Sequence, residues 1–122
     1  MIKNILCLFL MGFFFINCNA QETVKTISTK ELKVLLSKEK IQLLDVRTPI
    51  ETKLGAIDSA LFINYFNNDF TEQAVNKLDK EKPIYVYCRS GKRSAKATKL
   101  LKEKGFDVYD VLGGYNQWKK EN

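Results

Sequence analysis

From residue 23 onwards, short apolar runs alternate with longer segments whose apolar residues recur at helical spacing. The runs have the length of strands, and the segments between them have the length of short helices. Alternating strands and helices predict right-handed crossovers and a parallel sheet covered by helices on both faces. We therefore expect a three-layer α/β domain with about five strands. The predicted strands are 24–27, 41–46, 60–63, 84–87 and 106–111, and the predicted helices are 30–37, 49–53, 68–78, 94–104 and a short C-terminal one.

The first twenty residues follow a different pattern, in which one lysine precedes the unbroken apolar run 5–16. A membrane-spanning helix needs about 20 apolar residues, so this run fits the apolar region of a secretory signal peptide better. Cleavage after the small residue Ala20 suits such a signal. Cys18 closes the run as the lipid-modified cysteine of a bacterial lipoprotein does, although Asn17 stands where a small residue is usual. An uncleaved anchor or a buried N-terminal helix is the third alternative.

We therefore expect residues 1–20 to be an export signal and residues 21–122 to form one domain, either soluble in the periplasm or anchored to a membrane through Cys18. Removing residues 1–20 also removes Cys7 and Cys18, which leaves Cys88 as the single cysteine of the domain. An internal disulfide is then impossible, which argues for a fold held by packing. The net charge changes from +6 to +5 because Lys3 leaves with the signal. No stripe of basic and aromatic residues accompanies this charge, so we expect no nucleic-acid partner.

The complete absence of histidine limits the chemistry of this chain. It excludes a Ser-His-Asp triad, a Cys-His pair, a histidine general base and any metal or haem site with a histidine ligand. The sequence predicts neither a cofactor nor a metal site. Any reaction must therefore use the remaining side chains or the backbone.

The candidate chemistry is concentrated in residues 88–94, Cys-Arg-Ser-Gly-Lys-Arg-Ser, which follow the most strand-like run of the chain. Ligands of open parallel sheets bind beyond the carboxyl ends of the strands. A helix N-terminus, the amides of a Gly-containing loop and the cations Arg89, Lys92 and Arg93 all favour a negative charge there. The sequence thus predicts that Cys88 is a thiolate nucleophile that needs no general base. The alternative is an inert buried cysteine beside a basic surface loop.

Residues 88–94 resemble the active-site loop of the single-domain rhodanese family. Further matching segments occur in the expected order between residues 27 and 118: Leu44-Asp45-Val46-Arg47 with Glu51, Gly55-Ala56-Ile57 with Ala60, and Leu112-Gly113-Gly114-Tyr115 with Trp118. The resemblance implies a sulfurtransferase. In this reading Cys88 attacks the outer sulfur of an anionic donor such as thiosulfate, becomes a persulfide, and passes the sulfur to a thiol or a cyanide-like acceptor.

The resemblance also implies roles for the residues around Cys88. Asp45 and Arg47 would organise the neighbouring loop, with Arg47 able to pair with Glu51, whereas the residues alone favour a purely structural role for Asp45 and Arg47. Lys92 and Arg93 would receive the anionic donor. The loop amides would hold the charge of the persulfide; they belong to Arg89, Ser90, Gly91, Lys92, Arg93 and Ser94.

Two details refine this interpretation. Related phosphatases and arsenate reductases have a loop one residue longer, with an arginine six positions after the cysteine, where this chain has Ser94. Within the family geometry, the shorter loop suits a single sulfur atom better than a tetrahedral anion. The family usually has Gly-His-Ile where this chain has Ala56 between Gly55 and Ile57. That histidine is generally outside the bond-making step, so its loss does not exclude sulfur transfer.

Three functions remain open at this stage. The first is an exported sulfurtransferase that acts on small sulfur compounds. The second is a non-catalytic module in which Cys88 carries sulfur or senses oxidants for a partner protein. Phosphatase or arsenate chemistry is the third. A membrane is expected as a partner only if Cys18 is lipidated.

Overall fold

The structure is a computed structural model that describes residues 23–122. The expected export signal, with Cys7, Cys18 and Ala20, lies outside the described residues. Within them the chain forms five strands and five helices in strict alternation. In chain order these are β1 (Lys25–Ile27), α1 (Thr29–Lys38), β2 (Gln42–Asp45), α2 (Pro49–Lys53), β3 (Leu61–Phe62), α3 (Phe70–Lys77), β4 (Ile84–Tyr87), α4 (Lys92–Glu103), β5 (Val108–Val111) and α5 (Gly114–Glu121).

All five strands are parallel and lie in the order β1-β5-β4-β2-β3. The sequence of β4, Ile-Tyr-Val-Tyr, consists of β-branched and aromatic residues, and all four are buried because the strand is covered on both faces. The predicted α/β fold with helices on both faces of a parallel sheet is therefore confirmed. β4 lies between β5 and β2, so the residue that follows it emerges at the centre of the carboxyl edge of the sheet.

Each face of the sheet has its own core. Strand residues alternate between the faces, so Ile84 and Val86 contribute to one core, and Tyr85 and Tyr87 to the other. The first core includes Phe70 and Ala74 of α3 and Ala97 and Leu101 of α4. The second includes Leu32 of α1, with Tyr115 and Trp118 of α5 packed against it. Helices α4 and α5, which both lie next to the loop that contains Cys88, therefore pack on opposite faces of the sheet.

Local sequence signals explain where the helices begin. Ser28 caps α1 in a capping box with Glu31, and Thr48 caps α2 in a second capping box with Glu51, with Pro49 in the first turn. The expected start of α4 at Ser94 is wrong by two residues, because the helix begins at Lys92, directly after the turn at Gly91. None of the helices among residues 23–122 is long and apolar enough to span a bilayer.

Candidate active site

Cys88 is the first residue after β4 and is a free cysteine with 1% of its surface exposed. It therefore lies at the carboxyl edge of the sheet, between the ends of β2 and β5, as sequence reasoning expected for a ligand site. The loop that follows contains Arg89, Ser90 and Gly91 and leads directly into the N-terminus of α4. Because the first backbone amides of a helix have no partner within the helix, this placement favours a negative charge on the sulfur.

The loop curls around the sulfur atom. The Gly91 amide donates a hydrogen bond to Cys88 Sγ over 3.0 Å, and Ser94 Oγ lies 3.5 Å from the same sulfur. Ser94 is fully buried, and its hydroxyl also donates to the Gly91 carbonyl over 3.2 Å. Gly91 has a φ of +121°, a conformation that side chains rarely adopt, although a Cβ there would contact nothing within 4 Å. Its requirement for glycine is therefore conformational rather than steric.

Helix α5 positions the loop through hydrogen bonds between their backbones. The amides of Tyr115 and Asn116 donate to the carbonyls of Cys88 and Arg89 over 2.8 and 3.0 Å. A Cβ on Gly114 would lie 2.6 Å from both of these carbonyl oxygens. Sequence reasoning took the two adjacent glycines, Gly113 and Gly114, as a turn. In the structure Gly114 also allows the helix end to approach the active-site loop closely.

Arg93 extends towards α2, where its guanidinium is engaged by an acidic side chain. Its guanidinium forms a two-pronged ion pair with Glu51 over 2.7 and 2.8 Å, and it lies over the ring of Phe66 at 5.6 Å. The hydrogen bond from Arg93, opposed by partial burial and supported by Thr48, lowers the pKa of Glu51 to about 2. Arg93 thus ties the start of α4 to the start of α2, which leaves less of its charge for an incoming anion.

Arg47 has a different partner from the one expected. Its guanidinium donates to the Asp45 carboxylate at distances of 2.7 to 3.1 Å and to the Gly55 carbonyl over 2.8 Å, and it stacks over Tyr115 at 4.3 Å. The predicted Arg47–Glu51 pair is therefore wrong. The physical reason is that the buried carboxylate of Asp45 lies beside Arg47 and pairs with its charge, while Glu51 is bound by Arg93.

A cleft of about 320 Å³ opens beside the loop. Arg89 is the loop residue that lines it, together with Lys119 and Asn116 of α5. The sequence predicts Lys119 to be a surface charge. Its position on the helix that follows Gly113 and Gly114 is the sequence feature that could have placed it near the loop. Lys92 is exposed and is not among the residues that line the cleft, which are Arg47, Glu51, Leu54, Arg89, Tyr115, Asn116 and Lys119.

Ala56, where the family usually has histidine, lines a separate cavity of about 410 Å³ with Trp118, and no residue of the active-site loop contributes to it. The neighbouring Ile57 amide donates to the buried hydroxyl of Tyr87 over 3.0 Å, so this segment is attached to the end of β4.

Across residues 23–122 no group of three or more cysteine, aspartate or glutamate side chains is arranged to hold a metal ion.

Comparisons with known proteins agree with this geometry. Residues 28–121 match the model of the rhodanese-like domain. A putative sulfurtransferase of Bacillus subtilis, YtwF, is 38% identical over 80% of this chain and 93% of its own length. A thiosulfate sulfurtransferase of Shewanella oneidensis, GlpE, is 30% identical over 80% of this chain and 95% of its own length. A tRNA uridine(34) hydroxylase of Buchnera aphidicola also matches, but over only 30% of that protein's length.

Among solved structures, the rhodanese-like domain protein of Staphylococcus aureus superposes with a TM-score of 0.71 at 38% identity, over 78% of this chain and 91% of that one. The fold and the site define a parallel α/β protein whose single cysteine, among the described residues, lies in the loop between the central strand and a helix N-terminus. The chain belongs to the rhodanese family, as the motif resemblance indicated.

Proposed function

We propose that the protein is a sulfurtransferase in which Cys88 carries the transferred sulfur as a persulfide. The observation that carries this proposal is the hydrogen bond of 3.0 Å from the Gly91 amide to Cys88 Sγ, within a loop between the central strand and a helix N-terminus. Both the thiolate and the persulfide are anions, so this environment supports each of them. The GlpE and YtwF relatives, which carry sulfurtransferase names, support the same class of reaction.

With thiosulfate as the donor, the reaction has two displacement steps. The Cys88 thiolate attacks the outer sulfur, a sulfur–sulfur bond forms at Cys88, and sulfite leaves with the electron pair of the broken bond. An acceptor such as cyanide or a thiolate then attacks the outer sulfur of the persulfide, and the Cys88 thiolate leaves with its electron pair. No external oxidant or reductant is needed, because each step exchanges one nucleophile for another at sulfur.

The residues around Cys88 have separate tasks in this scheme. Arg89 and Lys119 attract the anionic donor into the cleft, and the sulfite product leaves past the same cations. The amides of Gly91 and of the first turn of α4 hold the charge on the sulfur. Arg93 is already bound to Glu51, so it contributes less than expected to enclosing a tetrahedral anion. This pairing favours sulfur transfer over phosphatase or arsenate chemistry.

A carrier function with a protein partner is the second candidate. Apolar side chains of Ile50, Leu54 and Phe66 are 64–87% exposed, and Leu54 lines the cleft beside Arg89. Exposed apolar residues at the entrance of a site favour contact with another protein, which would receive the sulfur directly. Cys88 would then form the persulfide but turn over poorly with small acceptors.

Turnover separates the two candidates. We expect the protein to form thiocyanate from thiosulfate and cyanide, and we expect the isosteric Cys88→Ser variant to form none. The Cys88→Ser variant should melt at a similar temperature, which makes it a matched control. No thiocyanate above that control would reject the enzyme with this donor pair. Peptide mass spectrometry after thiosulfate treatment would then show whether Cys88 still gains one sulfur atom, as the carrier function requires.

We also propose that the protein is exported and acts in the periplasm or at a membrane. The support is the charged start, the apolar run 5–16 and the small residue Ala20. Expression in a bacterium and sequencing of the N-terminus should give Gln21 as the first residue. An acylated Cys18 at the N-terminus would instead establish the lipoprotein form, and an intact Met1 would reject export by either route.

A further inference from the structure

Asp110 is a buried carboxyl group that the two displacement steps do not use. It is 7% exposed, and its Oδ1 atom has no hydrogen-bond partner. Buried polar atoms are nearly always hydrogen-bonded, so an unpartnered carboxyl oxygen requires an explanation. Side chains alternate along a strand, and Val108, two residues earlier on β5, belongs to the same core as Cys88 and Ala97. Asp110 therefore faces the layer of α4, on the side of the sheet where Cys88 lies.

Ser94 connects this carboxyl to the sulfur. Burial raises the pKa of Asp110, and the nearby Ser94 side chain opposes that rise in part, so the two side chains are neighbours. The Ser94 hydroxyl lies 3.5 Å from Cys88 Sγ and 3.2 Å from the Gly91 carbonyl. A serine has a single hydrogen to donate. Once Cys88 is a thiolate, the sulfur, the Gly91 carbonyl and the Asp110 carboxylate compete for this one donor.

The strand neighbours of Asp110 and the buried residues of α4 over this face carry no charge. The residues in register with it, Thr26 on β1 and Val86 on β4, are uncharged. On α4, Arg93 is bound to Glu51, and Lys102 donates to the Thr23 carbonyl. The helix residues that are buried over this face are uncharged, and Lys96 and Lys99 are exposed; the buried ones are Ser94, Ala97, Thr98 and Leu101. Tyr65, a further titratable residue of this face, packs against Phe70.

We propose that Asp110 is a positioning residue whose protonation state influences the charge of Cys88 through Ser94. When protonated, the carboxyl donates to Ser94 Oγ and no longer competes for the serine hydrogen, which the Gly91 carbonyl and the sulfur then share, and its share at the sulfur stabilises the thiolate. When ionised, the carboxylate takes the serine hydrogen, and the sulfur loses that donor while facing a second negative charge. Only hydrogen bonds and the one carboxyl proton, which is exchanged with solvent, change between the two states. The two acids are therefore coupled, and each disfavours ionisation of the other.

The test measures the pH dependence of Cys88 alkylation by iodoacetamide in the full chain, read by mass spectrometry on the peptide that contains Cys88. In the Asp110→Asn variant the carboxamide donates to Ser94 at every pH and carries no charge. We expect the midpoint of the profile to move to lower pH, with alkylation below the wild-type midpoint faster by about threefold, which corresponds to about 0.5 pH unit. An unchanged midpoint would overturn the proposal.

Two controls separate the serine link from a general charge effect. Asp107→Asn removes the same charge from a partly exposed carboxylate that pairs with Lys25, and it should leave the profile unchanged. In a Ser94→Ala background, Asp110→Asn should shift the midpoint by less than half as much. An equal shift in that background would reject Ser94 as the link.

If Asp110→Asn does not fold, NMR of the wild-type protein provides a second test. The Asp110 carboxyl carbon should titrate at a lower pH in Cys88→Ser than in the wild type, and equal midpoints would contradict the coupling. The inference rests on the proposed function only in taking Cys88 as the reacting group. Alkylation requires no sulfur transfer, so a normal shift without thiocyanate formation would reject the proposed function alone. Thiocyanate formation with an unchanged midpoint would reject this inference alone.

Discussion

Two buried aspartates flank the strand that leads to Cys88, and they differ in how their charge is treated. Asp45 ends β2 opposite Tyr87, and Asp110 lies on β5 opposite Val86. Asp45 is fully buried and receives the guanidinium of Arg47, whereas Asp110 has an oxygen without any partner. The same residue type therefore forms an ion pair on one side of the Cys88 loop and remains an unpaired buried carboxyl group on the other.

This difference follows from the elements that cover each aspartate. The segment after β2 folds back over Asp45, so Arg47 reaches it from only two residues away and also holds the Gly55 carbonyl. Asp110 is covered by the first turns of α4, whose buried residues are small and uncharged. A cation beside Asp110 would also lie close to Cys88 and hold a fixed charge there. The polar residues among those that α4 buries here, Ser94 and Thr98, are both uncharged.

The largest expected effect is on the Asp45 side. Asp45→Asn leaves the Arg47 guanidinium, which is 4% exposed, without its counter-charge, so we expect a loss of about 3–5 kcal/mol in the free energy of unfolding. Urea unfolding followed by circular dichroism measures this loss. Asp58→Asn, at an exposed carboxylate, is the matched control and should change the stability by less than about 0.5 kcal/mol. A similar small loss for Asp45→Asn would remove the distinction between the two aspartates.

The Asp110 side should give an effect of the opposite sign. Because the folded-state pKa of Asp110 is raised by burial, its stabilising contribution is complete below the ordinary value of 3.8 and is lost as the pH rises through the raised value. Asp110→Asn has no such loss. We therefore expect the variant to be more stable than the wild type at pH 8, by about 1–3 kcal/mol, with the difference shrinking towards pH 4. Urea midpoints across this range measure it, and a variant less stable at pH 8 would contradict the assignment.

Much of this architecture is predictable from the sequence because the burial pattern of a parallel sheet is strong. Residues 84–87 are apolar or aromatic without a break, and they form the central strand. The two-residue strand β3, Leu61–Phe62, is exposed at both positions and is shorter than the predicted 60–63, because an edge strand lies against a neighbour on one side only. Element boundaries of this kind depend on pairing, which the local pattern does not encode.

The site was predictable in its centre and less so at its rim. Cys88 and its loop follow from local motifs, but the Glu51–Arg93 pair joins residues 42 positions apart, and the fold alone decides that Arg93 turns towards α2. Asp110 had a usable signal that sequence reasoning missed. It occupies a strand of a sheet expected to be covered on both faces, so either direction of its side chain leads into a core. A carboxyl in that position has to be paired, neutral or functional.

The smallest expected effect concerns Glu51, a third carboxylate, which sharpens the comparison because it is paired like Asp45 but lies at the surface. Its side chain is 25% exposed, so solvent screens the pair with Arg93, and we expect Glu51→Gln to lower the free energy of unfolding by about 1 kcal/mol at neutral pH.

The pKa of Glu51 is lowered to about 2, so this contribution is present above the ordinary value of 4.5 and is lost as the pH falls towards 2. Urea midpoints of wild type and Glu51→Gln should therefore converge as the pH falls from 5 to about 2, whereas those of wild type and Asp110→Asn diverge as the pH rises. Arg93→Gln should reproduce the neutral-pH loss, and adding Glu51→Gln to it should cost little more, because both variants break the same contact. A Glu51→Gln loss independent of pH would show that the side chain acts through packing and the Thr48 cap rather than through its charge.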